Sequence, residues 1–205
     1  MLLRLLTENP FEFILVAGAL IVTLTIHEFA HAFMADRLGD PTARLQGRLS
    51  LNPLVHLDPL GTLALLFVGL GWGKPVPFDP FNLQNPKRDS ALIAAAGPAS
   101  NLILAVLLSL AFHALPLPAV LAEAIMITVY TNVGLAMFNL LPIHPLDGGK
   151  ILIGLAPKSV AVEWDALLHQ YGTLILIFLI VPWNGSSAAS SLLSPIIATI
   201  LRILL

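Results

Sequence analysis

FEFILVAGALIVTLTIHEFAHAFM, residues 11–34, is an apolar run broken only by Glu12, His27, Glu28 and His31. A helix crosses the hydrocarbon core of a bilayer with roughly 20 apolar residues at 1.5 Å each. The run is long enough to span, and its second half carries two histidines and a glutamate. Titratable groups at such depth are costly unless they face a cavity or one another. The whole chain shares this character: of 205 residues, 57% are hydrophobic and 11% charged, against about 25% charged in soluble domains. A mean hydropathy of +0.89 weighs further against a soluble protein.

Outward from that run the chain divides by composition. Residues 37–60, with three Arg and three Pro, read as turns and short strands at a membrane surface. Residues 61–72 are apolar but short for a span, and suit a re-entrant segment; a tilted span is the competing reading. Residues 73–90 are a polar, Pro-rich loop. Spans are predicted over Ala91–Leu115 and Val120–Leu141, joined by a turn at Pro116 and Pro118. Residues 143–165 read as the turn HPLDGG and a polar stretch, with Asp165 in a polar loop. Leu167–Val181 and Leu192–Leu205 are further apolar stretches, split by WNGSSAAS.

The expected fold class is therefore an all-α polytopic membrane protein. It has about five transmembrane helices plus a short re-entrant or membrane-surface segment with small β elements. Residues 1–205 are read as one domain, with a catalytic core over about 11–155 and C-terminal helices over about 163–205.

Lys and Arg concentrate in the loops on the cytoplasmic side. With residues 61–72 re-entering, Arg37, Arg44, Arg48, Lys74, Lys87, Arg88, Lys150 and Lys158 fall on one side, eight of the ten basic residues. A multi-pass cell-membrane protein with its site opening toward the cytoplasm is the expectation. Nothing suggests nucleic acid: the net charge is −2 and no basic patch stands out. With no cysteine, any metal must be held by His, Asp or Glu.

HEFAH, residues 27–31, supplies such ligands. On a helix His27 and His31 share a face, so both imidazoles can reach one zinc ion. Glu28 lies at the edge of that face, placed to take a proton from an attacking water. A catalytic zinc takes three protein ligands, so one is missing. His56 and Asp58 are read in a surface loop, and Glu123 near the outer end of its helix. Asp147, at the same membrane end as HEFAH, is the best third ligand on topology alone. A transporter or ion channel using the same His/Glu/Asp cluster is the rival reading. Such proteins often show paired halves, and nothing here mirrors HEFAH.

HEFAH, AGPASN (Ala96–Asn101) and NLLPIHPLDGG (Asn139–Gly149) together resemble the site-2 proteases, a family of intramembrane zinc metalloproteases. GRLSLNPLVHLDPLG (Gly47–Gly61) and GWGKPVP (Gly71–Pro77) are similar to its compact bacterial branch, which lacks a PDZ domain. The resemblance spans roughly residues 20–155 and implies one Zn2+ per chain on His27, His31 and Asp147, with Glu28 as general base. It also implies that Asn139 lies near the cleft and helps hold substrate. The expected activity is hydrolysis of peptide bonds in or near transmembrane segments of other membrane proteins within the bilayer. His144 stands where the resemblance implies a small residue or proline, and is read as a loop histidine facing water. Gly97, Pro98 and Asn101 are read mainly as a close helix contact.

Overall fold

The computed structural model describes residues 2–69, 71–183 and 185–205. Leu70, inside the expected re-entrant segment, lies outside the described residues. The helices are α1 (Leu2–Glu8), α2 (Pro10–Arg37), α3 (Thr42–Leu45), α4 (Pro59–Phe67), α5 (Pro86–Ala114), α6 (Ala119–Asn139), α7 (Asp147–Leu155), α8 (Lys158–Ile180) and α9 (Ala188–Leu204). Among the described residues the strands are one two-residue pair, Pro182–Trp183 with Ser186–Ser187.

Local chemistry sets the helix starts. Pro10 and Pro86 occupy the first turns of α2 and α5, where a missing N–H costs nothing. The Asn9 side chain accepts from the Glu12 amide, and the Asp58 side chain accepts from Gly61 to open α4. Buried residues then recur every fourth position, one helical face. On α2 they include Ala19, Thr23, His27, His31 and Ala35; on α5, Asp89, Ile93, Gly97, Asn101, Ala105 and Ser109. Apart from Ile93 these stripes are small or polar, while large apolar residues such as Ile14 (64% exposed) and Ile103 (61%) point outward. That inversion suits lipid, where helices associate through small residues and hydrogen bonds rather than a hydrophobic drive.

Three of the described helices, α2, α5 and α6, are long and apolar enough to cross a membrane. They pack on one another, with α7 on α5 and α9 on α6. Ala105, Ile125, Val129 and Val133 form the core between α5 and α6, covered by apolar residues of α9. The sequence predicts about five spans. Helix α9 is apolar but has only 17 residues, and α8 does not qualify because its first turns are polar.

The regions read as loops carry more structure than their composition suggests. Residues 37–60 form helical turns rather than strands, apart from a single bridge from Leu57 to Gly73. That bridge brings the two flanks of α4 together. Nine helical residues reach only ~14 Å, short of a ~30 Å hydrocarbon core. Residues 143–165 hold all of α7 and the start of α8, so Asp165 sits on a helix and not in a polar loop. His56 is fully buried, donating from Nε2 to the Ser50 carbonyl (2.7 Å), and is not a surface-loop residue.

Candidate active site

α5 fixes both histidines of α2 from behind. His31 Nδ1 lies 2.7 Å from the Ile93 carbonyl, which can only accept, so the ring proton is on Nδ1. His27 Nδ1 lies 2.6 Å from Asn101 Oδ1. The orientation of that amide follows from its neighbours: Asn101 Nδ2 donates to the Thr23 carbonyl (3.0 Å) and to Asn132 Oδ1 (2.8 Å). Asn132 Nδ2 in turn donates to the Thr128 carbonyl and Thr23 Oγ1 (each 2.8 Å). His27 therefore also carries its proton on Nδ1. Gly97 leaves room for the two rings, since a Cβ there would sit 2.6 Å from His27 Cε1.

In the neutral tautomer so fixed, each ring presents its Nε2 lone pair, and the two Nε2 atoms are 3.0 Å apart. Asp147, at the start of α7, adds a third: its Oδ2 is 3.1 Å from His27 Nε2 and 3.3 Å from His31 Nε2. This oxygen is buried and without a hydrogen-bond partner. Three acceptors facing one point with no proton between them call for a cation. Tetrahedral ligands bonded at about 2.0–2.1 Å are separated by about 3.3 Å, so the spacing fits zinc.

Glu28 is buried beside this group and lines the same cavity of about 490 Å³. No hydrogen bond holds its carboxyl among the described residues. The cavity runs between α2, α4 and α6, with Leu24, Trp72, Leu135 and Phe138 among its apolar walls. Arg48 anchors its rim, bonding the Lys74 and Pro75 carbonyls (2.5 and 3.1 Å). Burial pulls the Arg48 pKa down, and the nearby Glu28 charge partly offsets this. Asn139 lines the cavity too, although its Nδ2 donates to its own helix at Leu135 (3.1 Å).

The structure thus gathers His27, His31, Asp147, Glu28 and Asn139 around one cavity. It places His144, read as facing water, at 8% exposure against α8. The network behind His27, from Asn101 through Asn132 to Thr23, is hidden from spacing arguments. Its one sequence signal is that amides inside apolar spans need partners.

Fold and site together define a class, an integral membrane metallohydrolase. Comparison with known proteins narrows it. The model of Peptidase family M50 matches residues 117–180. "Putative zinc metalloprotease YwhC" of Bacillus subtilis is 40% identical over 176 residues, covering 82% of this chain and 80% of that protein. "Putative zinc metalloprotease Rip2" of Mycolicibacterium smegmatis is 37% identical over 82% of this chain and 67% of its own length. Its namesake in Mycobacterium tuberculosis (strain H37Rv) is 34% identical over 84% and 70%. No solved structure gives a significant match. The chain belongs to peptidase family M50, the site-2 protease family, and is a zinc metalloendopeptidase of the membrane. That membership decides against the transporter reading.

Proposed function

We propose that this enzyme hydrolyses peptide bonds in or near transmembrane segments of other membrane proteins, from a site open to the cytoplasmic side. His27, His31 and Asp147 are the zinc ligands, Glu28 is the general base, and Asn139 binds substrate. The observation that carries this reading is the convergence of three bare lone pairs beside an unrestrained, buried carboxylate.

When bound, zinc supplies a Lewis acid that lowers the pKa of water toward ~7. Glu28 accepts a proton from the attacking water and returns it to the departing amide nitrogen. Asn101 and the Ile93 carbonyl keep the two rings aimed and fix the tautomer whose lone pair is on Nε2. The apolar walls exclude bulk water, which strengthens each polar contact inside. A helix hides its carbonyls, so the substrate segment must unwind locally, favouring substrates with helix breakers near the cut. The apolar halves of α8 and α9 complete five spans of a single domain over residues 1–205, with α4 dipping into one leaflet.

The test is Glu28→Gln in proteoliposomes. It should retain zinc and lose cleavage of a co-reconstituted membrane substrate, found by comparing membrane proteomes of active and Glu28→Gln strains. Asp147→Asn should lose zinc at this site as well as activity. Appreciable turnover by Glu28→Gln would remove the base assignment.

A further inference from the structure

Beyond the catalytic cavity, the loop that delivers Asp147 meets α8 at a second group of metal-ligating side chains. Gly172 makes this contact possible: a Cβ there would lie 2.6 Å from the His144 carbonyl oxygen and 3.0 Å from its Cβ. With α8 so close, His144 Nε2 comes 3.4 Å from Asp165 Oδ1. His169, one helical turn on, places its Nδ1 3.4 Å from the same oxygen. The two imidazoles lie with ring centroids 4.2 Å apart. One ligand atom from each of the three residues lies within 4.8 Å of the others.

These distances are long for charge-assisted hydrogen bonds, which close to about 2.7–2.9 Å. The two contacts to Asp165 instead match the ~3.3 Å edge between ligands of a tetrahedral zinc ion, with the third separation within 4.8 Å. Donor identity agrees, because two imidazoles and one carboxylate leave a fourth position for water. Imidazole-rich sets favour zinc and its late first-row neighbours over Mg2+ or Ca2+. His144 is buried and its ring lies beside an acceptor, so a cation would satisfy a group that otherwise has a long contact only. His169 Nδ1 donates to the Asp165 carbonyl (2.9 Å) while no ion is bound, and an ion at the group takes the place of that proton and that bond.

We infer that His144, Asp165 and His169 form a second zinc site, separate from the catalytic one. It clamps α8 to the loop three residues ahead of Asp147. The ion is not part of the cleavage chemistry. Its effect is positional: it ties the third proposed catalytic ligand to α8, beyond the apolar packing of Leu176 and Leu179 against the same loop.

The experiment uses the full chain in detergent, stripped of metal and dialysed against micromolar Zn2+, with bound zinc counted by elemental mass spectrometry. His169→Gln and Asp165→Asn sit on exposed parts of α8, and circular dichroism will confirm their folding. Each should hold one zinc per chain fewer than the parent. In Co2+-loaded protein each should lose one tetrahedral visible-absorption component. The parent-minus-Asp147→Asn difference reads the catalytic site independently, so failure of one assignment leaves the other measurable. Equal zinc content in the parent and both α8 variants overturns the second site.

Discussion

At the residue scale, Asn101 touches neither substrate nor the ion-sized gap, yet the tautomer of His27 depends on it. Asn101→Ala should weaken zinc binding about 10–100-fold, as loss of a ligand's orienting partner typically does. It also leaves Asn132 and the Thr23 carbonyl short of a partner, at about 1–3 kcal/mol. Zinc competition with a fluorescent chelator reads the first effect, and an unchanged affinity would mean that Asn101 only packs. Gly97→Ala should act from the other side, pushing a methyl into the imidazoles and lowering zinc occupancy while the helices still form. HEFAH was legible in the sequence because its geometry is local, fixed by helical spacing alone. Asn101 and Asn132 meet 31 positions apart in sequence, and His144 is buried only because Gly172 admits α8. No local pattern encodes those contacts, so the sequence offers the candidate ligands and conceals what aims them.

At the scale of elements, Asp40 joins the end of α2 to the segment before α5. It is fully buried, and its carboxylate accepts from the Thr42 amide and hydroxyl, the Asp79 amide and the Asn82 side chain. Burial alone would raise its pKa, but these four donors outweigh it and hold the value below the ordinary 3.8. A carboxyl depressed in the folded state contributes stability above its ordinary pKa and loses it as pH falls through the folded value. Asp40→Asn should therefore lower the melting temperature in detergent at pH 7. The gap to the parent should narrow once pH drops below 3.8; a constant gap would mean the carboxylate charge is irrelevant. The three long spans were readable to within a few residues, because lipid demands continuous apolar length. α7 was not, since Gly148 and Gly149 at its start read as a turn. There the missing Cβ serves packing: one at Gly148 would strike the Leu140 and Leu141 carbonyl oxygens.

At the scale of the whole molecule, hydrogen bonds tie basic segments together in pairs. Arg48 reaches Lys74 and Pro75, the Lys74 amide donates to the His56 carbonyl, and Lys87 donates to the Ala156 carbonyl. The chain has no cysteine, so single probes are clean. Gln46→Cys, Gln84→Cys and Ser159→Cys, all exposed, should react with an impermeant thiol reagent from the same side of sealed vesicles, and Ala119→Cys from the other. Labelling of Gln46→Cys and Gln84→Cys from opposite sides would require α4 to cross. The ligand set also has a timetable. His27 and His31 belong to the first long span, whereas Asp147 follows only after two more have been made. At roughly 5–20 residues per second, the ribosome needs on the order of ten seconds to bridge that interval. Through those seconds the nascent chain already holds its histidines in the bilayer but lacks the residue that closes the site. On the proposed ligand set, the newborn chain thus passes its own transmembrane segments through the translocation machinery before its metal site is complete.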